Sequence, residues 1–376
     1  MRVMWVADKL GYGERLHGIG AYFKYVIPAL ADQTIVPVAL RCGEEIRQHL
    51  AGEGVEVRCL NHMKIDPRTP LALQNIVREE KIDLLHLHGY GASAFGRMVA
   101  RRLQMPVIIH RHDSDSRLPW YGRVVDSVLR HSNDSVIAVS ESVADFGIRA
   151  RSFDRSQVHV MPNPCPDPHP YSETDIGRLR AELGIPKGGK LVGCVTRFDP
   201  VKANQFAIRA FADVVRQVDS AYLVLLGDGD ERASLERLVS DLHLNKNVRF
   251  LGHRPDASRY FAAFDCYLLS SINEGVPFTL LEALAAGTPA VATSVGGIPE
   301  FFRNEEGVLI VPPQDPAAMS RAVSRVLSDA GFAAKVRDRG LQKSRQLGLT
   351  PHCANLMKLY EQAIASQGTS RKLRNA

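Results

Sequence analysis

Glu274-Gly-Val-Pro-Phe-Thr-Leu-Leu-Glu282 follows closely on the apolar run Cys266–Leu269, and this stretch decides the fold. The apolar run has the length and content of a buried strand. Leu280, Leu281, Leu284 and Ala285 then recur at helical spacing. Pro277 suits a first helical position, where its missing N–H costs nothing, and Gly287 marks the end of the helix. A helix that begins right after a strand aims free amides and a partial positive charge out of a parallel sheet's carboxyl edge, which suits a phosphate. Glu274 lies in the turn, while Glu282, inside the helix, can reach the other end of the same ligand. The plain alternative is an amphipathic helix with two solvated glutamates; the neighbouring motifs argue against it.

Working outward, short β-type runs alternate with helical segments almost throughout. Behind the quoted stretch the series reads Leu191–Val195, Tyr222–Leu226, Val248–Leu251, Cys266–Leu269, Ala290–Ala292 and Val308–Val311, with helices from Asp315 to about Ser366. Ahead of it the strands are Arg2–Ala7, Ile35–Leu40, Val55–Leu60, Ile82–Leu87, Pro106–His110, Ser135–Val139 and Val158–Met161, with helices such as Ala21–Leu30, Ala92–Leu103 and Leu118–His131. Such alternation predicts an α/β protein with parallel sheets covered on both faces. The pattern breaks at Pro162-Asn-Pro-Cys-Pro-Asp-Pro-His-Pro170, which reads as a stiff extended linker. The expected architecture is two Rossmann-like, doubly wound domains facing an inter-domain cleft. Their expected bounds are 1–165 and 166–350, with a C-terminal helix and basic tail, 351–376, crossing back to the first domain.

Composition excludes several classes. At 376 residues the chain is long for one core, and 45% hydrophobic with 23% charged residues is ordinary for a globular protein. A net charge of +6 is too mild to argue for nucleic acid, yet it suits phosphorylated ligands or an anionic membrane surface. Six cysteines show no metal or redox spacing, and Cys194 and Cys266 read as buried free thiols. No signal-peptide pattern and no membrane-spanning run is present. The expected location is the cytoplasm, with a peripheral position at the inner face of the membrane as an extension.

Thr196-Arg-Phe-Asp-Pro-Val-Lys202 puts two cations into the turn after the strand Leu191–Val195, just ahead of a helix over Ala203–Val218. Cations at a helix N-terminus oppose the dipole, so an anion is wanted there; a planar fork and a mobile point charge suit a diphosphate. Gly227-Asp-Gly-Asp230, Phe250-Leu-Gly-His253 and Gly296-Gly-Ile-Pro-Glu300 end or follow neighbouring strands at the same edge, and the backbone around His253 suits a planar base. In the first half, Gly11, Gly13, Gly18 and Gly20 crowd the loop after the first strand, where backbone can approach a ligand; flexible filler is the alternative. His86 and His88 end one strand, facing either ligand or core. His112 ends the next, with the polar run Arg111–Ser116 arguing against its burial. Asp113-Ser-Asp115 and Asp228-Gly-Asp230 resemble a two-aspartate metal signature, but no metal is expected, because Arg197 and Lys202 already supply the charge.

Taken together, these motifs resemble the retaining glycosyltransferases of the GT-B fold, family four. The resemblance spans nearly the whole chain: Gly18–Gly20, the His112 strand end, Val139-Ser-Glu-Ser142, Met161-Pro-Asn163, Arg197 with Lys202, Gly227-Asp-Gly229, Glu274 with Glu282, and Gly296–Glu300. It implies a nucleotide-sugar donor on the second domain and an acceptor on the first. Arg197 and Lys202 would hold the diphosphate, Glu282 the ribose hydroxyls and Glu274 the sugar hydroxyls. Gly275, Val276, Pro277, Phe278 and Thr279 would cradle sugar and phosphate, His112 would line the reaction centre, and Gly18 and Gly20 would touch the phosphates. Two departures stand out: the family usually has glycine where Thr196 stands, and often where Ala203 stands.

The implied reaction moves a hexose, with a UDP-sugar favoured, to a saccharide or polyprenyl-linked saccharide in cell-surface or extracellular polysaccharide synthesis. Front-face attack is implied, with the departing phosphate oxygen taking the acceptor's proton. Between Arg97 and Arg130 seven arginines stand against three aspartates, with Trp120 and Tyr121 nearby, a composition that could rest on anionic lipid. A nucleotide-sugar epimerase of similar fold and a non-catalytic two-domain binding protein remain the alternatives.

Overall fold

The computed structural model describes residues 1–13, 15–112, 126, 128–129, 134–151 and 153–374, and for 134, 151 and 367–374 the backbone alone. The chain divides into two compact units, Met1–Asn163 with Leu349–Ala376, and Pro164–Gly348. The expected helix Leu118–His131 lies largely outside the described residues.

The first unit runs β1 (Arg2–Lys9), β2 (Gly11–Tyr12), β3 (Arg15–Leu16), α1 (Gly18–Ala29), β4 (Thr34–Arg41), α2 (Glu44–Gly52), β5 (Arg58–Cys59), α3 (Thr69–Glu79), β6 (Leu84–His88), α4 (Tyr90–Leu103), β7 (Val107–Arg111), β8 (Asp134–Ala138), α5 (Glu141–Arg151) and β9 (Val158–Val160). Among the described residues its main sheet has seven strands in the order β5-β4-β1-β6-β7-β8-β9, all parallel. The centre of β1, Val3 to Ala7, is fully buried, as a strand covered on both faces must be. Two expectations need correcting here. The strand expected over Val55–Leu60 shrinks to Arg58–Cys59, an edge strand paired at only two positions, because Gly54 turns the chain at φ +79° just before it. The glycine loop after β1 is a small antiparallel hairpin, β2 with β3, and α1 already begins at Gly18. His17 caps that helix, its Nδ1 accepting from the Ile19 amide at 3.2 Å.

The second unit runs α6 (Glu173–Glu182), β10 (Lys190–Val195), α7 (Asn204–Gln217), β11 (Ala221–Leu226), α8 (Arg232–Asp241), β12 (Val248–Gly252), β13 (Cys266–Leu269), α9 (Phe278–Ala285), β14 (Ala290–Thr293), α10 (Ile298–Phe301), β15 (Val308–Val311), α11 (Pro316–Ser328) and α12 (Ala330–Gln346). The last helix, α13 (Leu349–Arg374), belongs to the first unit. The second sheet is parallel in the order β12-β11-β10-β13-β14-β15. Ala207, Ile208, Ala210, Phe211 and Val214 form the apolar stripe of α7 and join Leu223, Leu225, Leu268 and Val291 in one core. Each large apolar side chain buried there contributes roughly 1.5–3 kcal/mol. Cys194 and Cys266 are buried free thiols. No helix among the described residues is long and apolar enough to cross a membrane.

The proline-rich segment carries no helix, and its one β-bridge pairs Cys165 with Gly348, where the Cys165 amide donates to the Leu347 carbonyl at 2.8 Å.

Candidate active site

The strand order of the second sheet reverses between β10 and β13, and a crevice opens at the carboxyl ends of such a pair. The loop after β10 carries Arg197 and Lys202; the loop after β13 carries Glu274. The structure brings them into contact, with Lys202 Nζ 2.7 Å from Glu274 Oε1. Ser271 Oγ donates to the same oxygen at 2.6 Å. The carboxylate is 8% exposed and the ammonium 18%, so the pair is largely withdrawn from water while still reachable from the crevice. Arg197 is half-exposed and lies 3.0 Å from Asp199 of its own loop.

Hydrogen bonds to backbone carbonyls stitch the two loops together. The Ile272 amide donates to the Val201 carbonyl at 2.9 Å, and Ser270 Oγ to the Lys202 carbonyl at 3.0 Å. Asp199 fixes the β10 turn, its Oδ1 accepting from the Lys202 amide at 3.2 Å, and Asn204 Nδ2 donates to the Arg197 carbonyl at 3.0 Å. Glycines allow the remaining loops to close in. A Cβ at Gly296, where φ is +53°, would fall 1.6 Å from the Glu274 carbonyl oxygen, and the Gly297 amide donates to the Gly275 carbonyl at 3.0 Å. Gly227 lies against Thr196 in the same way, its absent Cβ 1.8 Å from that carbonyl.

Several expected donor contacts are reassigned by this geometry. Gly227 donates its amide to Gly252 at 2.8 Å, so it serves loop packing and offers no N–H to a phosphate. Pro277 sits one position earlier than expected, as the N-cap of α9 with ψ 132°, and its carbonyl accepts from Leu280 at 3.1 Å. Val276 and Phe278 point into the core, which leaves them only main-chain groups for a ligand. Gly275 and Thr279 stay half-buried at the start of α9. The Thr279 hydroxyl accepts from Tyr267 at 2.8 Å, and burial pushes that phenol's pKa well above its usual value. Glu282 is half-buried on the next turn of α9; burial and the Glu282 charge together push the Cys165 thiol up to about 12. His253 follows β12, half-buried. Asp228 of the Asp228–Asp230 pair accepts from the Gly229 amide at 2.8 Å and lies 3.8 Å from Arg232, so one of the two carboxylates is already engaged. Asp113 and Asp115 lie outside the described residues.

Asp199, Asn204, Ser271 and Tyr267 escaped the sequence reading. Asp199-Pro200 is a turn signal that could have been read. The others act from core positions where nothing in the sequence distinguishes them.

In the first unit, His112 was expected to be open because of the polar residues after it. It is only half-exposed, with Nε2 3.0 Å from His88 Nδ1 and its ring stacked on His110 at 4.1 Å. Burial first, then the charges of His17 and Arg111, push its pKa down to about 3, so the ring is neutral and a weak base. His86 and His88 are fully buried, which resolves their open choice in favour of the core. Gly20 is buried too, and a Cβ there would strike the Leu10 carbonyl at 2.2 Å, which explains that glycine by packing; Gly18 is exposed and faces open space. Arg97, counted among the lipid-facing arginines, is buried and paired with buried Asp126 at 3.2 Å, so it cannot touch a membrane. Trp120 and Tyr121 lie outside the described residues. A cavity of about 500 Å³ is lined by Lys9, Gly11, Gly13, Arg41, Cys42, Gly43, Glu45 and Asn61. Burial and the neighbouring Arg41 charge lower the Lys9 pKa, the mark of two cations held close together.

A family model described as Glycosyl transferases group 1 matches residues 175–343, and one described as Glycosyltransferase Family 4 matches residues 16–166. The chain is 28% identical over 270 residues to N-acetyl-alpha-D-glucosaminyl L-malate synthase of Bacillus anthracis, covering 68% of each. It is 27% identical over 330 residues to the lipopolysaccharide core biosynthesis glycosyltransferase LpsE of Rhizobium meliloti, covering 86% of this chain and 89% of that one. Its fold is similar to that of HepE of Anabaena in complex with UDP-glucose, with TM-score 0.84, 20% identity and coverage of 96% and 100%.

Proposed function

Because the chain belongs to the group 1 glycosyltransferases of family four, with their GT-B fold, we infer that it moves a hexose from a nucleoside diphosphate sugar to a saccharide or lipid-linked acceptor, with retention and without a catalytic metal. The observation that carries this reading is the Lys202–Glu274 contact at the switch point of the second sheet. It joins a cation suited to a diphosphate with a carboxylate suited to sugar hydroxyls, beside the N-terminal end of α9, whose dipole favours an anion. UDP is the favoured leaving group, supported by the UDP-glucose complex of HepE.

Breaking the bond between the anomeric carbon and the phosphate oxygen leaves negative charge on the diphosphate. Arg197, Lys202 and the α9 amides stabilise that charge where it develops. The acceptor oxygen forms the new bond on the same face, and its proton passes to the departing phosphate oxygen. Glu274 orients the sugar and Glu282 the ribose. His112, neutral and hydrogen-bonded to His88, contributes contact and no acid or base chemistry. The cavity with Lys9 and Arg41 suits an acceptor with an anionic group, in line with the L-malate in the name of one relative. Peripheral contact with anionic lipid rests on sequence composition alone, and liposome co-sedimentation indifferent to anionic lipid removes it.

Release of nucleoside diphosphate from UDP-glucose and other nucleotide sugars, assayed with and without acceptor in chelating buffer, tests the reading. Acceptor-dependent release is expected, and Arg197→Ala and Lys202→Ala should each lower kcat on the order of 10²–10³-fold. Near-normal turnover in both variants overturns the charge-stabilising role, and sugar isomerisation without release points to an epimerase.

A further inference from the structure

The carboxyl ends of β6 and β7 carry a histidine cluster that the transfer reaction does not use. His86 and His88 share one face of β6, two residues apart, and His110 lies beside His88 on β7. Trp5 of β1, Tyr22 and Phe23 of α1, and Tyr360 of α13 pack around the three rings. All three imidazoles are buried, at 0%, 0% and 1% exposure.

Their nitrogens divide into two sets. His86 Nδ1 meets the Tyr360 hydroxyl at 2.7 Å, and His88 Nδ1 meets His112 Nε2 at 3.0 Å. Among the described residues, the opposite nitrogens, Nε2 of His86 and of His88, have no hydrogen-bond partner, and neither nitrogen of His110 has one. Buried imidazole nitrogens left without partners are costly, and the three side chains come together: one ring nitrogen from each histidine lies within 4.8 Å of the others. In His86 and His88 one nitrogen is fixed by a partner and the other keeps its lone pair, the pattern of a metal-binding histidine. The tautomer that places the proton on Nδ1 of His86 and of His88 satisfies both hydrogen bonds and frees the lone pair on each Nε2.

We infer that His86, His88 and His110 bind one divalent transition-metal ion that ties β6 and β7 together inside the first unit. An imidazole-only ligand set selects zinc, cobalt, nickel or copper over the oxygen-seeking magnesium and calcium. Zinc–nitrogen bonds of about 2.0–2.1 Å place ligand nitrogens roughly 3.3 Å apart, so binding draws the rings inward by about 1 Å. The site is structural: its tyrosine and histidine partners orient the ligands, and the diphosphate-binding residues belong to the other unit.

The test uses the full chain with neither donor nor acceptor, so its outcome is separate from that of the transfer assay. Protein stripped of metal, titrated with cobalt(II) and desalted, is expected to keep one equivalent, show visible ligand-field absorption and melt at a higher temperature. Zinc should displace the cobalt. His110→Asn should lose the bound ion and the absorption. Tyr360→Phe, which removes the partner of His86 Nδ1, should weaken binding roughly 10- to 100-fold. Wild-type protein that keeps no cobalt and shows no absorption overturns the inference, whether or not the variants fold. Equal binding by a folded His110→Asn protein overturns it as well.

Discussion

Ala203 shows at the residue scale how a departure from the family pattern becomes physical. It precedes α7 at φ +50°, ψ 40°, in the left-handed region where a Cβ costs about 1–2 kcal/mol, and it is 1% exposed. The conformation that favours glycine is therefore retained although the glycine is not. Ala203→Gly is expected to raise stability by about 0.5–1 kcal/mol in urea unfolding, the strain relieved exceeding the added entropy of the unfolded chain. The Lys202–Glu274 pair gives a second prediction. Lys202→Ala leaves a largely buried carboxylate held by the Ser271 hydroxyl without its cation, at a cost of about 1–3 kcal/mol. Adding Glu274→Gln removes the stranded charge, so the double variant should melt above the single one; additive losses would show that the two side chains are uncoupled. The sequence marked both residues by their positions after strands. It could not mark Ser271, whose bond to Glu274 depends on the shape of the turn between them, or Tyr267, whose partner Thr279 lies twelve residues on.

At the scale of elements, periodicity and turn residues located most of the strands, and errors gathered where tertiary packing takes over. Cys266–Leu269 and Val308–Val311 were legible because a short apolar run between turn signals has few other solutions. The start of α1 was missed, because Gly18 and Gly20 look like loop and yet Gly20 must be glycine to pass the Leu10 carbonyl. His112 was misjudged because the polar residues after it say nothing about what covers it. The turn at Gly296 illustrates how one element controls another. Gly296→Ala would put a Cβ into the Glu274 carbonyl at a left-handed backbone position, so the β13 loop must move. A loss of at least ~2 kcal/mol is expected, with kcat/KM falling more than the melting shift alone would predict. Unchanged kinetics would mean that Glu274 tolerates displacement.

At the scale of the whole molecule, the two units differ in how they are made. Residues 164–348 are continuous and contain their own sheet, core and the loops that carry Arg197, Lys202 and Glu274, whereas the first unit includes α13, whose Tyr360 and Leu356 are fully buried. A fragment of residues 164–348 is expected to unfold cooperatively and to gain about 2.7 kcal/mol in nucleoside diphosphate at a hundred times its dissociation constant. A fragment of residues 1–163 alone should lack the protected amides of a folded sheet in hydrogen exchange. Alternation in sequence exposed the two-sheet architecture; Leu349, Cys353, Leu356, Tyr360 and Ala363 of α13 recur at helical spacing and are buried, but such a stripe does not name the sheet it will cover.

The same division dictates the order in which the protein matures on the ribosome. The strands of the first sheet emerge earliest, yet their last covering helix emerges only after the entire second unit. Domains usually fold as they appear, from the N-terminus onward; here the later-made half is expected to complete first, with the packing around Trp5 and His86 waiting for Tyr360 of α13. Slow synthesis across residues 164–348 lengthens that interval, and chaperones that bind nascent chains have their natural target there.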